Sequence, residues 1–149
     1  MSESTPHILI VTSRYYARIA EELEHGVADT LREADATYDV IEAPGAFEIP
    51  AIIALAAEAA EYDGFVALGC VVRGETSHYD YVCGECARGI MNLSLAGVAV
   101  GFGVLTVENQ DQAWVRADRT QKNKGREAAR ACLNMVTLQK HFSDVDLDD

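Results

Sequence analysis

The sequence predicts an α/β protein, a three-layer α/β/α sandwich around a four-stranded parallel sheet. Three observations predict it. Apolar runs of strand length alternate with longer segments whose apolar residues recur every three or four positions. One run, Gly64–Val72 (GFVALGCVV), is apolar almost throughout, as a strand covered on both faces must be. The order strand–helix repeats four times before a last helix, and right-handed crossovers then make the sheet parallel with helices on both sides.

Each element has its own justification. His7–Thr12 is short, apolar and partly β-branched, which suits a first strand. Arg18–Ala34 carries Ile19, Leu23, Val27 and Leu31 at intervals of four, one apolar helical stripe. Thr37–Glu42 alternates as a second strand. Glu48–Tyr62 is rich in Ala, Ile and Leu and reads as a helix, with Pro50 in the first turn, where its missing N–H is harmless. After the Gly64–Val72 strand, His78–Leu95 places Val82, Cys86, Ile90 and Leu93 at helical spacing. Gly97–Thr106 reads as a fourth, buried strand and Asp111–Ala117 as a short helix. Lys124–Phe142 closes the series, with Ala128, Cys132, Met135, Leu138 and Phe142 expected on one face. No internal repeat or linker interrupts the 149 residues, so a single domain spanning 1–149 is expected, with an acidic, frayed tail over 143–149.

Bulk properties narrow the partners. The net charge of −12 repels phosphate backbones and anionic bilayers, so neither nucleic acid nor membrane is an expected partner. No apolar stretch approaches the roughly 20 residues of a spanning helix, and the first one, Ile8–Val11, lacks the basic flank and length of a leader. A cytoplasmic protein is the expectation, with Cys70, Cys83, Cys86 and Cys132 reduced. The single C-x-x-C, Cys83 to Cys86, lies inside a helix and reads as packing; no metal site is expected.

In open parallel sheets ligands bind beyond the carboxyl ends of the strands. Four segments fall there: Ser13–Tyr16, Ala43–Glu48, Arg73–His78 and Val107–Asn109. Arg73–His78 follows a buried strand and opens a helix, so Thr76 or Ser77 can cap it and its free N–H groups suit an anion. It also reads as an ordinary strand-to-helix turn. His78 is a titratable group beside that turn, or a plain surface imidazole. In Pro44–Pro50, Glu48 can accept hydrogen bonds from hydroxyls, or simply favour a helix start. Tyr15 can stack on a flat heterocycle, and Phe102 shares that ambiguity with a core role. Arg116, with Arg119, Lys122 and Lys124 near it, reads either as phosphate capture or as a solvated face.

Taken together the strings PGAFEIP (44–50), ALGCVVRGETSHYDYV (67–82), FGVLTVEN (102–109), QAWVRA (112–117), and NKG with EAA (123–129) resemble the lumazine synthase family in order and spacing. The resemblance runs from about Ile8 to Phe142 and implies a flavodoxin-like fold. It also implies condensation of 5-amino-6-(D-ribitylamino)uracil with 3,4-dihydroxy-2-butanone 4-phosphate to 6,7-dimethyl-8-ribityllumazine, without metal or cofactor. By the same resemblance Tyr15 stacks on the pyrimidine. Ala46, Phe47 and Glu48 line the ribityl chain, and Cys70, Val71 and Val72 meet the uracil. Glu75, Thr76 and Arg116 hold the phosphate, and His78 transfers protons. Phe102 and Arg116 are expected from a neighbouring subunit of a homo-oligomer, a pentamer or a sixty-subunit shell. Association with riboflavin synthase is a further expectation.

Three departures accompany the resemblance. Tyr15 stands where Phe or Trp is usual in the family. Only six residues precede the first strand, and the segment 118–123 (DRTQKN) lacks the glycines of shell-forming members; both favour an isolated pentamer. The competing readings are a paralogue that binds lumazine or flavin without turnover, a structural shell component, and a flavodoxin-like electron carrier.

Overall fold

The computed structural model describes residues 5–144, so the expected tail lies outside the described residues from 145 onward. Four strands, β1 (His7–Ser13), β2 (Thr37–Ala43), β3 (Gly64–Val72) and β4 (Val100–Val107), form one parallel sheet in the order β2-β1-β3-β4. Helices α1 (Ala17–Glu33), α4 (Gln110–Ala117) and α5 (Lys124–Ser143) cover one face. A 3₁₀ turn (Ala46–Glu48), α2 (Ile49–Glu58) and α3 (His78–Leu95) cover the other. The three-layer flavodoxin-like architecture is therefore the one the sequence predicts.

The strands form where they do because their side chains have two faces to fill. In β1, Ile8 and Ile10 join the core under α1 and α5, while Leu9 and Val11 join the core under α2 and α3. The stripe Ile19, Leu23, Val27 and Leu31 of α1 is buried. Each such side chain contributes about 1.5–3 kcal/mol relative to exposure. The short α4 starts on Asn109, whose side chain accepts from the Gln112 N–H at 2.9 Å, while the Gln112 side chain takes the Glu108 N–H at 2.8 Å. This reciprocal capping fixes the start of the helix that carries Arg116.

Several boundaries and faces differ from expectation. Helix α2 ends at Glu58, not Tyr62, because the chain turns at Ala60, whose φ is +55°. The fourth strand begins at Val100; Gly97, with φ +96°, instead terminates α3. It is largely buried, as expected, yet it is an edge strand, and Phe102 on it is 44% exposed. On α5 the inward residues are Gly125, Ala128, Ala129, Cys132 and Val136, whereas Met135, Leu138 and Phe142 are exposed. Val136 already packs beside Gly64, the first residue of β3, so the later turns of α5 run past the amino edge of the sheet. Ser143 belongs to α5 and not to a frayed tail.

Candidate active site

The sheet order places a topological switch between β1 and β3: the chain leaves β1 towards β2 on one side, then crosses to β3 on the other. The crevice beyond the carboxyl ends of those two strands is where a parallel sheet receives a ligand. A cavity of about 600 Å³ lies there. Its floor is Ser13 at the end of β1 and Cys70, Val71 and Val72 at the end of β3. One wall is the 3₁₀ turn, Gly45 through Glu48. The other is the start of α3, with His78, Tyr81 and Val82, and Tyr15 and Tyr16 close the rim.

Local structure explains these positions. Glu48 donates its N–H to the Gly45 carbonyl at 3.2 Å, which tightens the turn and holds Ala46, Phe47 and Glu48 side by side along the wall. Ala46 is buried, while the Phe47 ring remains 54% exposed. Tyr15 is 81% exposed and meets the Tyr16 ring edge-on at 4.9 Å. Such open aromatic faces at a rim suit a planar ring. His78 is the first residue of α3. Its N–H is taken by the Thr76 hydroxyl at 3.3 Å, so Thr76, not the Ser77 side chain, provides the hydroxyl at this helix start.

The floor is electrically quiet. Burial pushes the Cys70 thiol up to about 11, and burial likewise raises the Tyr16 phenol, so neither is ionised near neutral pH. A thiol held in that form suits the cavity floor. Cys86 and Cys132 are raised to about 11 and about 12 by burial, in keeping with packing roles. Among the described residues no group of three or more His, Cys, Asp or Glu side chains is placed to hold a metal, and no helix is long and apolar enough to cross a membrane.

Of the residues expected at the site, Tyr15, Ala46, Phe47, Glu48, Cys70, Val71, Val72 and His78 converge on this cavity. Glu75 and Thr76 lie on the exposed loop at its side. Phe102 and Arg116 do not line it. Phe102 is on the edge strand, and Arg116 sits half-buried in the last turn of α4, where Nη1 donates to the Gln112 carbonyl at 3.0 Å. The basic run around Arg116 is largely committed elsewhere: Arg119 pairs with Glu22 at 3.1 Å and Asp29 at 3.0 Å, and Lys124 with Glu127 at 2.8 Å. Arg14, beside Tyr15, is held by Glu24 at 2.8 Å and Glu42 at 3.5 Å.

Sequence reasoning missed Tyr81 and Arg73. Tyr81 lies three residues after His78, so both point to one side of α3, a signal the spacing carries. Arg73 bridges Glu108 through Nε at 3.1 Å and Asp80 through Nη1 at 3.3 Å, with its guanidinium 4.2 Å from the Tyr79 ring centre.

Comparison with known proteins identifies the family. The family described as 6,7-dimethyl-8-ribityllumazine synthase matches residues 5–140. A protein of that name from Agrobacterium fabrum is 52% identical over 143 residues, covering 92% of this chain and 97% of its own length. Another from Bartonella tribocorum is 50% identical over 141 residues, 93% of each chain. A third, from Novosphingobium aromaticivorans, is 52% identical over 135 residues, 91% of this chain and 97% of its own. With the family matched over nearly the whole chain and its relatives matched end to end, this chain belongs to the 6,7-dimethyl-8-ribityllumazine synthase family.

Proposed function

We propose that this chain condenses 5-amino-6-(D-ribitylamino)uracil with 3,4-dihydroxy-2-butanone 4-phosphate, releasing 6,7-dimethyl-8-ribityllumazine, inorganic phosphate and water. It does so in the cytoplasm as a homo-oligomer, a pentamer alone or within a shell, as the penultimate step of riboflavin biosynthesis. The observation that carries this reading is the convergence of Tyr15, Ala46–Glu48, Cys70–Val72 and His78 on one cavity at the switch point of the sheet.

In this reading the pyrimidine stacks on Tyr15 and meets the backbone of Cys70–Val72, and Glu48 accepts from the ribityl hydroxyls. The phosphate lies against the N–H groups of Glu75 and Thr76 at the start of α3, where the helix dipole favours an anion. The substrate amine attacks the ketone carbon, a C–N bond forms, and water leaves to give a Schiff base. Elimination then expels phosphate, and closure of the second ring releases another water. Each step moves a proton, for which His78 on the cavity wall is placed. Holding two substrates in register supplies the rest.

The cavity of one chain contains no cation from the 116–124 run, and its aromatic rim is open to solvent. A neighbouring subunit bringing Phe102 and Arg116 would supply both the missing phosphate ligand and an aromatic cover. The test is condensation of both substrates, followed by lumazine fluorescence and released phosphate in equal amounts. Arg116→Ala should raise the KM for the phosphate-bearing substrate about 10- to 100-fold, the worth of a charge-assisted fork. His78→Ala should slow turnover by about 100-fold, the lower end for a positioned acid–base group, without abolishing it. No lumazine above the uncatalysed background from folded protein would sink the proposal.

A further inference from the structure

The loop that carries the phosphate-side groups has little holding it. Residues 74–78 are all exposed, a Cβ built at Gly74 would touch nothing within 4 Å, and the Ser77 side chain caps no N–H. Yet the proposed chemistry needs Glu75, Thr76 and His78 held to within a fraction of an ångström.

What spans this loop is the residue before it. The Arg73 N–H donates to the Val107 carbonyl at 2.9 Å, which anchors its backbone beside the end of β4. Its side chain then reaches in two directions. Nε pairs with Glu108 at 3.1 Å, just beyond β4, and Nη1 pairs with Asp80 at 3.3 Å, in the first turn of α3. The guanidinium carbon lies over the Tyr79 ring, 4.2 Å from its centre. One planar group therefore joins the strand ends to the helix start across the five residues between them. Single exposed ion pairs are weak. A fork that pairs twice and stacks once holds a geometry that a point charge on a flexible stem does not.

We infer that Arg73 is a positioning residue that straps the 74–78 loop between β3, β4 and α3. Resting on the reading of the site given above, it sets the placement of the phosphate-side N–H groups and of His78 without touching substrate. The strap bears chiefly on one substrate. Val72 precedes Arg73 in the chain, but the end of β3 is held by its pairing with β4, Val72 opposite Val107, and Tyr15 and the 3₁₀ turn, which would hold the rest of the ribitylaminouracil, belong to segments that Arg73 does not contact.

The test compares wild type with Arg73→Ala, Arg73→Lys and Asp80→Asn, each checked for unchanged circular dichroism and elution volume. For Arg73→Ala the KM for the butanone phosphate should rise and kcat fall, each by about three- to tenfold, with the KM for the ribitylaminouracil unchanged. Arg73→Lys should recover part of that loss. Asp80→Asn should shift the same parameters in the same direction, and the double variant should be no worse than Arg73→Ala, since the two changes break one link. Exchange of the 74–78 amides, measured without any substrate, should be faster in Arg73→Ala than in wild type.

Unchanged amide exchange would overturn the strap whatever the protein catalyses. So would an equal loss towards both substrates. A rise in butanone phosphate KM for Arg73→Ala with none for Asp80→Asn would also overturn it, because Arg73 would then be meeting the phosphate itself. Absence of condensation by wild type would count against the function proposed above, and amide exchange would still decide the strap.

Discussion

The two faces of the sheet are finished to different degrees. On the α1 and α5 face, Ile8, Ile10, Leu23, Val27 and Cys132 are at most 1% exposed. The helices come so close that a Cβ on Gly101 would run into the Ala128 carbonyl, and one on Gly125 into that of Leu23. On the α2 and α3 face, Leu9, Val11, Ile49 and Cys86 are buried as well. There, however, the helices present Leu55 at 72%, Tyr81 at 68%, Met91 at 57% and Leu95 at 81% exposure, spread along both helices, whereas on the other face the exposed apolar side chains Met135, Leu138 and Phe142 are confined to the later turns of α5. Met91 and Leu95 lie one turn apart on α3, and contiguous apolar exposure is a common mark of an interaction surface. The 3₁₀ turn and the start of α3, which wall the cavity, belong to that uncovered face. The face that closes on itself carries the fold, and the face left open carries the chemistry.

The largest expected effect breaks the closed face. Gly101→Ala puts a methyl group where the backbone of α5 already sits, and a backbone carbonyl cannot rotate away as a side-chain tip can. The variant should be destabilised by about 3 kcal/mol or more, in the upper range for overpacking. Chemical denaturation checks this. A loss below about 1 kcal/mol would mean that α5 slides freely on the sheet and that the two faces are not distinguished by packing.

The next effect, smaller for the fold and larger for activity, tests the open face. Leu95→Asp combined with Met91→Asp charges two exposed positions one turn apart on α3. Surface changes of this kind alter the stability of a single chain by only about 0.5 kcal/mol. If a second copy covers this face, the variant should elute as a smaller species than wild type and lose condensation activity. Its secondary structure should persist. Equal elution of both proteins, with activity retained, would show that the α3 face meets no partner.

The same contrast explains what was legible in the sequence. The stripe Ile19, Leu23, Val27 and Leu31 and the run Gly64–Val72 report burial against elements that the chain itself supplies, so periodicity reads them well. Periodicity fails where an element outruns its cover. Leu138 and Phe142 keep an apolar spacing past Val136, the last buried residue of α5, Met135 points away from the sheet beside it, and the strand Val100–Val107 does not say that it lies at the edge. At the site, the segments that hold Tyr15, Glu48 and His78 were legible because each follows a strand and strand ends converge, whereas Ala46 and Cys70–Val72, the latter inside β3, were named only through the family resemblance. The Arg73 strap was not. Glu108 lies 35 residues from Arg73 and Asp80 only seven, and the two carboxylates meet one guanidinium only once β3 and β4 are paired.

The smallest expected effect concerns how the open face is fastened at its far end. At the amino edge of the sheet the Tyr62 hydroxyl donates to Asp39 at 2.7 Å, and the His7 ring stacks on Tyr62 with centroids 4.9 Å apart. His7 also reaches Asp39 at 3.2 Å and Thr37 at 2.7 Å, so β1, β2 and the segment before β3 meet in one polar knot. The Tyr62 hydrogen bond, with help from His7, holds the Asp39 carboxyl below the usual aspartate range. A carboxyl depressed on folding contributes stability that is complete above its ordinary value and is lost as pH falls through the depressed one. Tyr62→Phe should therefore lower Tm at pH 7 by on the order of a degree or two, since solvent screens so exposed a contact. The gap between variant and wild type should close at acid pH, once Asp39 is protonated in both. A difference that persists undiminished below the carboxylate range would trace to packing of the Tyr62 ring against Phe65, 6.0 Å away, and not to the carboxylate. The open face would then be apolar in its fastening at this end too, and the contrast between the faces would rest on exposure alone.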